Sequence, residues 1–233
     1  MTTSPDKAPV GFGAASAALV SGGLDSAILV ADRARDGAPV TPLYVRGGLA
    51  WESVELGHLR RFLAAIAATH PSVRPLVVLE QPLADLYGPH WSLTGQGVPA
   101  AGTPDEAVYL PGRNLLLLLK ALLWCHLNDV PTLALGVLAS NPFPDASSAF
   151  FAAYAAAIGQ GVNDPRLRVA CPYAGLRKAD VMRRGAGLPL GLTFSCIRLT
   201  PTGLHCGVCN KCAERRAAFA AVGWPDPTKY ASE

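Results

Sequence analysis

The stretch Ala18-Leu19-Val20-Ser21-Gly22-Gly23-Leu24-Asp25-Ser26 runs a short apolar segment straight into a Gly-Gly turn and then into a helical pattern. An apolar strand that ends at Ser21-Gly22-Gly23 can bring bare backbone N–H groups close to an anion, because glycine has no Cβ to hold a ligand away. Residues 24–35 read as the helix, with Leu24, Ala27, Ile28, Ala31 and Ala34 on one face. The anion would then sit at the positive end of that helix. A plain strand-turn-helix capped by Ser or Asp also fits, but two serines and an aspartate around a Gly-Gly pair exceed what a cap requires.

Outward from this turn the chain alternates strand and helix. Further strands are predicted at 39–45, 74–79, 132–138 and 167–170, after a first at 16–20. Helices are predicted at 51–68, where Val54, Leu59, Phe62, Leu63 and Ile66 keep a 3.6-residue period, and at 115–127, 149–158 and 176–185. Apolar, β-branched strands alternating with helices give an α/β fold: a doubly wound, mainly parallel five-stranded sheet. Residues 81–112 break the rhythm with many Gly and Pro, and a loop of that length inside a compact domain is commonly functional. Residues 1–14 read as a flexible tail, 15–190 as the main domain and 191–233 as a C-terminal lobe.

With 233 residues, half of them hydrophobic, the chain can bury one substantial core with a small appendage. A formal charge of +3 suits anionic small molecules and lacks the basic stripe that nucleic acid calls for. The polar start lacks the pattern of a signal peptide. The most apolar runs, 115–125 and 149–158, are too short to span a bilayer, and Lys120 interrupts the first. The expectation is a cytoplasmic protein with no membrane partner.

Cys196, Cys206, Cys209 and Cys212 form C-x9-C-x2-C-x2-C, a spacing that can close a tetrahedral structural Zn²⁺ site and points to a reducing compartment. The same run begins one iron–sulfur motif, so spacing alone leaves the metal open. His205 adjoins the set, and Cys125 and Cys171 sit in apolar surroundings as small core residues.

The S-G-G-x-D-S loop resembles that of the PP-loop ATP pyrophosphatases. Together with Pro111-Gly112-Arg113-Asn114, the segment Leu176-Arg177-Lys178-Ala179-Asp180 and the cysteine quartet, in that order over most of the chain, it is similar to the 7-cyano-7-deazaguanine synthases. That resemblance implies ATP held by Ser21, Gly22, Gly23, Leu24, Asp25, Ser26, Arg113 and Lys178, with Mg²⁺ and with Asp25 supporting the loop or its metal. Lys178, Asp25 and Arg113 would be the catalytic groups, and Asn114, Asp145 and Arg46 would face the substrate. It implies a structural zinc on the four cysteines and a homodimer. It also implies a reaction in which AMP activates the carboxylate of 7-carboxy-7-deazaguanine. Ammonia displaces that AMP to give the amide, and a second activation removes the amide oxygen to give the nitrile.

Two segments depart from the family pattern. Where a Gln-Arg-His type sequence is usual, the chain reads Arg46-Gly47-Gly48-Leu49-Ala50-Trp51-Glu52. Where a Tyr-Pro-Asp-Cys-Arg type loop is usual, it reads Phe143-Pro144-Asp145-Ala146-Ser147. Both departures fall on the substrate side, which admits a divergent enzyme that stops at the amide or transfers the acyl group to another amine, such as one on a protein. A tRNA-modifying PP-loop enzyme is a second alternative. A non-catalytic zinc-knuckle module is a third, with Arg198, Lys211, Arg215 and Arg216 flanking the cysteines.

Overall fold

The computed structural model describes residues 14–231, so the tail expected over 1–14 lies outside them except for Ala14. Strands β1 (Ser16–Leu19), β2 (Val40–Arg46), β3 (Val77–Glu80), β4 (Thr132–Ala134) and β5 (Arg168–Ala170) form one sheet in the order β3-β2-β1-β4-β5. Every neighbouring pair is parallel. The strand order reverses between β1 and β4, the place where open α/β sheets leave a crevice for ligands at the strands' carboxyl ends.

Helices α1 (Leu24–Arg35), α2 (Glu52–Ala67), α7 (Lys178–Arg184) and α8 (Asn210–Ala220) cover one face, and α5 (Arg113–Leu127) and α6 (Ser148–Gly161) cover the other. Strand alternation sorts side chains between the two cores. Ala18, Val40, Tyr44 and Ala134 pack with Ile28, Leu59 and Phe62, whereas Ala17, Leu43, Leu133 and Leu135 pack with Leu118, Leu122 and Phe151.

The expected strand at 132–138 stops at Ala134. Gly136 passes so close to the first turn of α1 that a Cβ there would lie 3.2 Å from the Asp25 carbonyl carbon, which diverts the chain from the ladder. Arg113 and Asn114, expected just ahead of a helix at 115–127, lie within the first turn of α5. The turn before them is set by Gly112 in the left-handed region, at φ +75°.

Residues 81–112 carry two short helices, α3 (Ala84–Tyr87) and α4 (Trp91–Thr94), that hydropathy alone does not reveal. This segment docks on the cysteine-rich lobe: Ala100 bridges Cys209 antiparallel, Ala101 N donates to Val208 O at 2.9 Å, and Asn210 N donates to Pro99 O at 3.1 Å. Leu83, Val98 and Leu110 share a buried cluster with Phe194 and the four cysteines. At its far end α8 inserts Ala218 and Phe219 into the core beneath α1 and α7.

Candidate functional site

The turn after β1 is held by its own serines. Ser26 Oγ accepts from Ser21 N at 3.2 Å and donates to Gly23 O at 3.2 Å, and the two hydroxyls lie 3.3 Å apart. Gly22 has φ +75°, and a Cβ there would come within 3.0 Å of Glu55 Cγ, so the position demands glycine twice over. Gly23 caps α1 without any side-chain hydrogen bond. Among the described residues the cap places no side chain on the first-turn amides, which is the condition for an anion cradle.

Lys178 is the first residue of α7, where Asp180 caps the start of the helix by accepting from Arg177 N at 3.2 Å. Its Nζ donates to Asp25 at 2.7 and 3.0 Å and to Glu214 Oε1 at 3.4 Å. Burial pulls the Lys178 pKa down, but the Asp25 and Glu214 carboxylates outweigh it and raise it above the ordinary lysine value. The ammonium stays charged at the mouth of the loop.

Two adjoining cavities open here. One, about 210 Å³, is lined by Ser21, Ser26, Asp25, Glu55, Arg113 and Asn114 among others. The other, about 220 Å³, keeps the loop, Asp25, Glu55 and Arg113 and adds Lys178, Lys211 and Glu214. A roomier groove of about 750 Å³ between α2 and the C-terminal lobe touches none of the loop residues.

Arg113 Nε is buried with no hydrogen-bond partner among the described residues, and so is Asp145 Oδ1. Asn114 joins these two positions: its backbone N donates to Asp145 Oδ2 at 3.2 Å and its side-chain amide to Asp145 O at 3.0 Å. Buried polar atoms normally find a partner, so the orphaned donor of Arg113, which lines both cavities, fits a polar ligand there, whereas Asp145 lines neither cavity and reaches them only through Asn114. Tyr109 and Phe143 stack nearby, with centroids 4.7 Å apart.

Arg46 is placed differently. Its Nε donates to Glu52 at 2.8 Å and its Nη1 to Glu80 at 3.1 Å, and it lines neither cavity. Glu52, on α2, accepts in turn from Gly47 N at 2.7 Å and Gly48 N at 2.9 Å.

The four cysteine sulfurs lie within 4.8 Å of one another and all are buried. Cys196–Cys209 and Cys206–Cys212 are each 3.9 Å apart, against about 3.8 Å for the edge of a tetrahedron with Zn–S bonds of roughly 2.3 Å. The set fits a closed zinc site. Of the basic residues beside it, Arg215 is buried on Thr228, Thr193 and Leu190 O, and Arg216 lies over the Tyr230 ring at 4.0 Å.

Sequence reasoning missed Glu55, Tyr44 and Glu214, and it named Lys211 only as a basic flank of the cysteines. Tyr44 donates to Glu55 Oε1 at 2.6 Å, and burial pushes the Glu55 carboxyl up to about 7 against the opposing pull of Tyr44 and Arg113. A signal was available for the glutamates of α2. Glu52 and Glu55 fall on the same stripe as Leu56, Leu59, Leu63 and Ile66, so acids sit on the face that the helix buries.

Comparison with known proteins gives a consistent answer. The family described as "Queuosine biosynthesis protein QueC" matches residues 15–223. The chain is similar to a 7-cyano-7-deazaguanine synthase of Cupriavidus necator, at 34% identity over 91% of this chain and 95% of that protein. Proteins of the same name from Ralstonia pickettii and Xanthomonas oryzae pv. oryzae are 34% and 37% identical, each over 91% of this chain and 96% of theirs. Among the described residues no helix is long and apolar enough to cross a membrane.

Proposed function

This chain belongs to the QueC queuosine biosynthesis family, and from that premise we propose that it is an ATP-dependent carbon–nitrogen ligase. Its substrate is 7-carboxy-7-deazaguanine, its nitrogen source ammonia and its product 7-cyano-7-deazaguanine. The observation that carries this reading is the convergence of the uncapped β1–α1 turn with Arg113 and Asn114 around one cavity.

A carboxylate is a poor electrophile, and ATP supplies the group that makes one of its oxygens leave as part of AMP. The chain's share of the work is positioning and charge stabilisation. The turn amides with Ser21 and Ser26 hold the tail of ATP, and Lys178 neutralises charge as pyrophosphate departs. Asp25, in the first turn of α1, is the carboxylate that would support the loop or hold Mg²⁺. Arg113 turns its unpartnered Nε to the nucleotide or the activated acyl group, and Asp145 accepts from an N–H of the guanine-like base through its unpartnered Oδ1. Zinc on Cys196, Cys206, Cys209 and Cys212 is structural, since four thiolates leave it no open position. Thiolates of this kind are kept by a reducing compartment, in line with a cytoplasmic enzyme.

A second reading concerns the acceptor. Arg46 is committed to Glu52 and Glu80, and no Cys-Arg pair follows Asp145, so the nitrogen side of the site differs from the family pattern. This supports an enzyme that stops at the amide or joins the acyl group to another amine. The deciding experiment supplies the protein with ATP, Mg²⁺, 7-carboxy-7-deazaguanine and ammonium. AMP, pyrophosphate and a nitrile by mass spectrometry are expected. Amide alone would replace the synthase reading with the second one, and no AMP at all would remove both.

A further inference from the structure

We propose that Lys211 is a second phosphate-contacting lysine, carried to the tail of ATP by the metal-held lobe and aimed by Glu214. The inference rests on the reading of the β1–α1 turn as an ATP site and adds a binding residue from the opposite end of the chain.

Lys211 lies between two of the clustered cysteines, Cys209 and Cys212, in the first turn of α8. Its backbone position is therefore set by the same sulfurs that would close around a metal. From there its Nζ donates to Glu214 Oε2 at 2.6 Å, while Glu214 Oε1 accepts from Lys178 at 3.4 Å and Lys178 pairs with Asp25 at 2.7 Å. The four groups form one alternating row, Lys211–Glu214–Lys178–Asp25, that runs from α8 across α7 to the first turn of α1. Lys211 and Lys178 line the same cavity as Ser21, Gly23 and Ser26. They also both line the neighbouring one beside Gly136 and Asn141.

Lys178 is thus flanked by two carboxylates, whereas Lys211 has one carboxylate, Glu214, and faces the cavity of the anion cradle. The Lys211–Glu214 pair is a partly exposed i,i+3 contact, with side chains 31% and 43% accessible. Pairs of that kind contribute little, so Lys211 can exchange Glu214 for a phosphate oxygen at small cost. The turn offers amides and hydroxyls but no cation of its own, and ammonium groups on two different helices bracket an extended polyphosphate better than one can.

The test measures binding of α,β-methylene ATP, pyrophosphate and AMP to the zinc-loaded full chain and to its Lys211→Ala, Lys211→Arg and Lys178→Ala variants. Zinc content and melting temperature serve as checks of folding. Lys211→Ala should bind the ATP analogue and pyrophosphate about tenfold more weakly, the scale of one lost charged hydrogen bond, with AMP affinity and zinc content unchanged. Lys211→Arg should recover most of the loss. If Lys211→Ala binds pyrophosphate as tightly as the parent while Lys178→Ala does not, the inference is overturned and the ATP site stands. If the parent itself binds neither ATP analogue nor pyrophosphate, both fall together.

Discussion

Two Gly-Gly turns leave the carboxyl ends of adjacent parallel strands, and they meet opposite fates. Gly22-Gly23 follows β1 with no side chain on its cap, whereas Gly47-Gly48 follows β2 with both amides bound by Glu52. Each turn has a glycine with positive φ, at +75° for Gly22 and +79° for Gly48. The local sequence is nearly the same, but a carboxylate one helical turn downstream seals the second site against anions. What makes a glycine turn a phosphate cradle is the absence of an internal acceptor as much as the presence of glycine.

The largest expected effect lies at the open turn. Lys178→Ala removes the ammonium from its mouth, and AMP production should fall by roughly a hundred- to a thousandfold, the scale of losing one aligned charge from a reacting phosphate. Next comes the metal. Cys209→Ser, or a strong chelator, should abolish stoichiometric zinc and lower the melting temperature by roughly 10 °C, since the lobe and the docked 81–112 segment lose a shared support. Elemental analysis and a thermal melt read both, and a coloured protein would replace zinc with an iron–sulfur cluster.

Glu55 lies against Gly22 in the cavity of the open turn, and its titration gives a third prediction. Its carboxyl is raised from 4.5 to about 7 in the fold, so the stability it contributes is complete below about pH 4.5 and is lost as pH rises through 7. Glu55→Gln should remove that slope and leave the variant more stable than the parent at pH 8 by up to roughly 3 kcal/mol. Denaturant titrations at pH 5 and pH 8 measure it; a parent with equal stability at the two values would contradict the assignment.

At the sealed turn, Glu52→Ala strands two amides and should cost roughly 2 kcal/mol. Arg46→Ala touches the same network from its exposed side, 41% accessible, and should leave the melting temperature close to that of the parent. Should Arg46→Ala instead raise the KM for the deazaguanine substrate by tenfold or more, the second turn is a binding element after all and the contrast between the turns fails.

The open turn, the parallel sheet and the cysteine quartet were legible because each is written in consecutive or regularly spaced residues. The sealed turn was not, since Gly47-Gly48 gives no sign of Glu52 until α2 curls the carboxylate back over it. Lys211 and Glu214 were hidden for a longer-range reason: they reach Lys178 and Asp25 only after α8 has packed on α7. The helices α3 and α4 are too short to establish a period, and the buried Leu83 and Val98 reveal themselves only against Phe194 and the thiols. Asp145 could be placed near the substrate by resemblance, but its free Oδ1 depends on how Asn114 occupies the other oxygen.

Phe219 and Ala218, buried beside Ile28 and Val181, impose an order on biosynthesis. The helix that follows the central strand is translated well before its apolar cover, which lies on α8, beyond every other helix of the sheet domain. Until then the nascent chain carries an unroofed patch, and the non-local pairing of a parallel sheet lengthens that interval. Messenger truncations that remove α8 should therefore yield aggregates that engage chaperones.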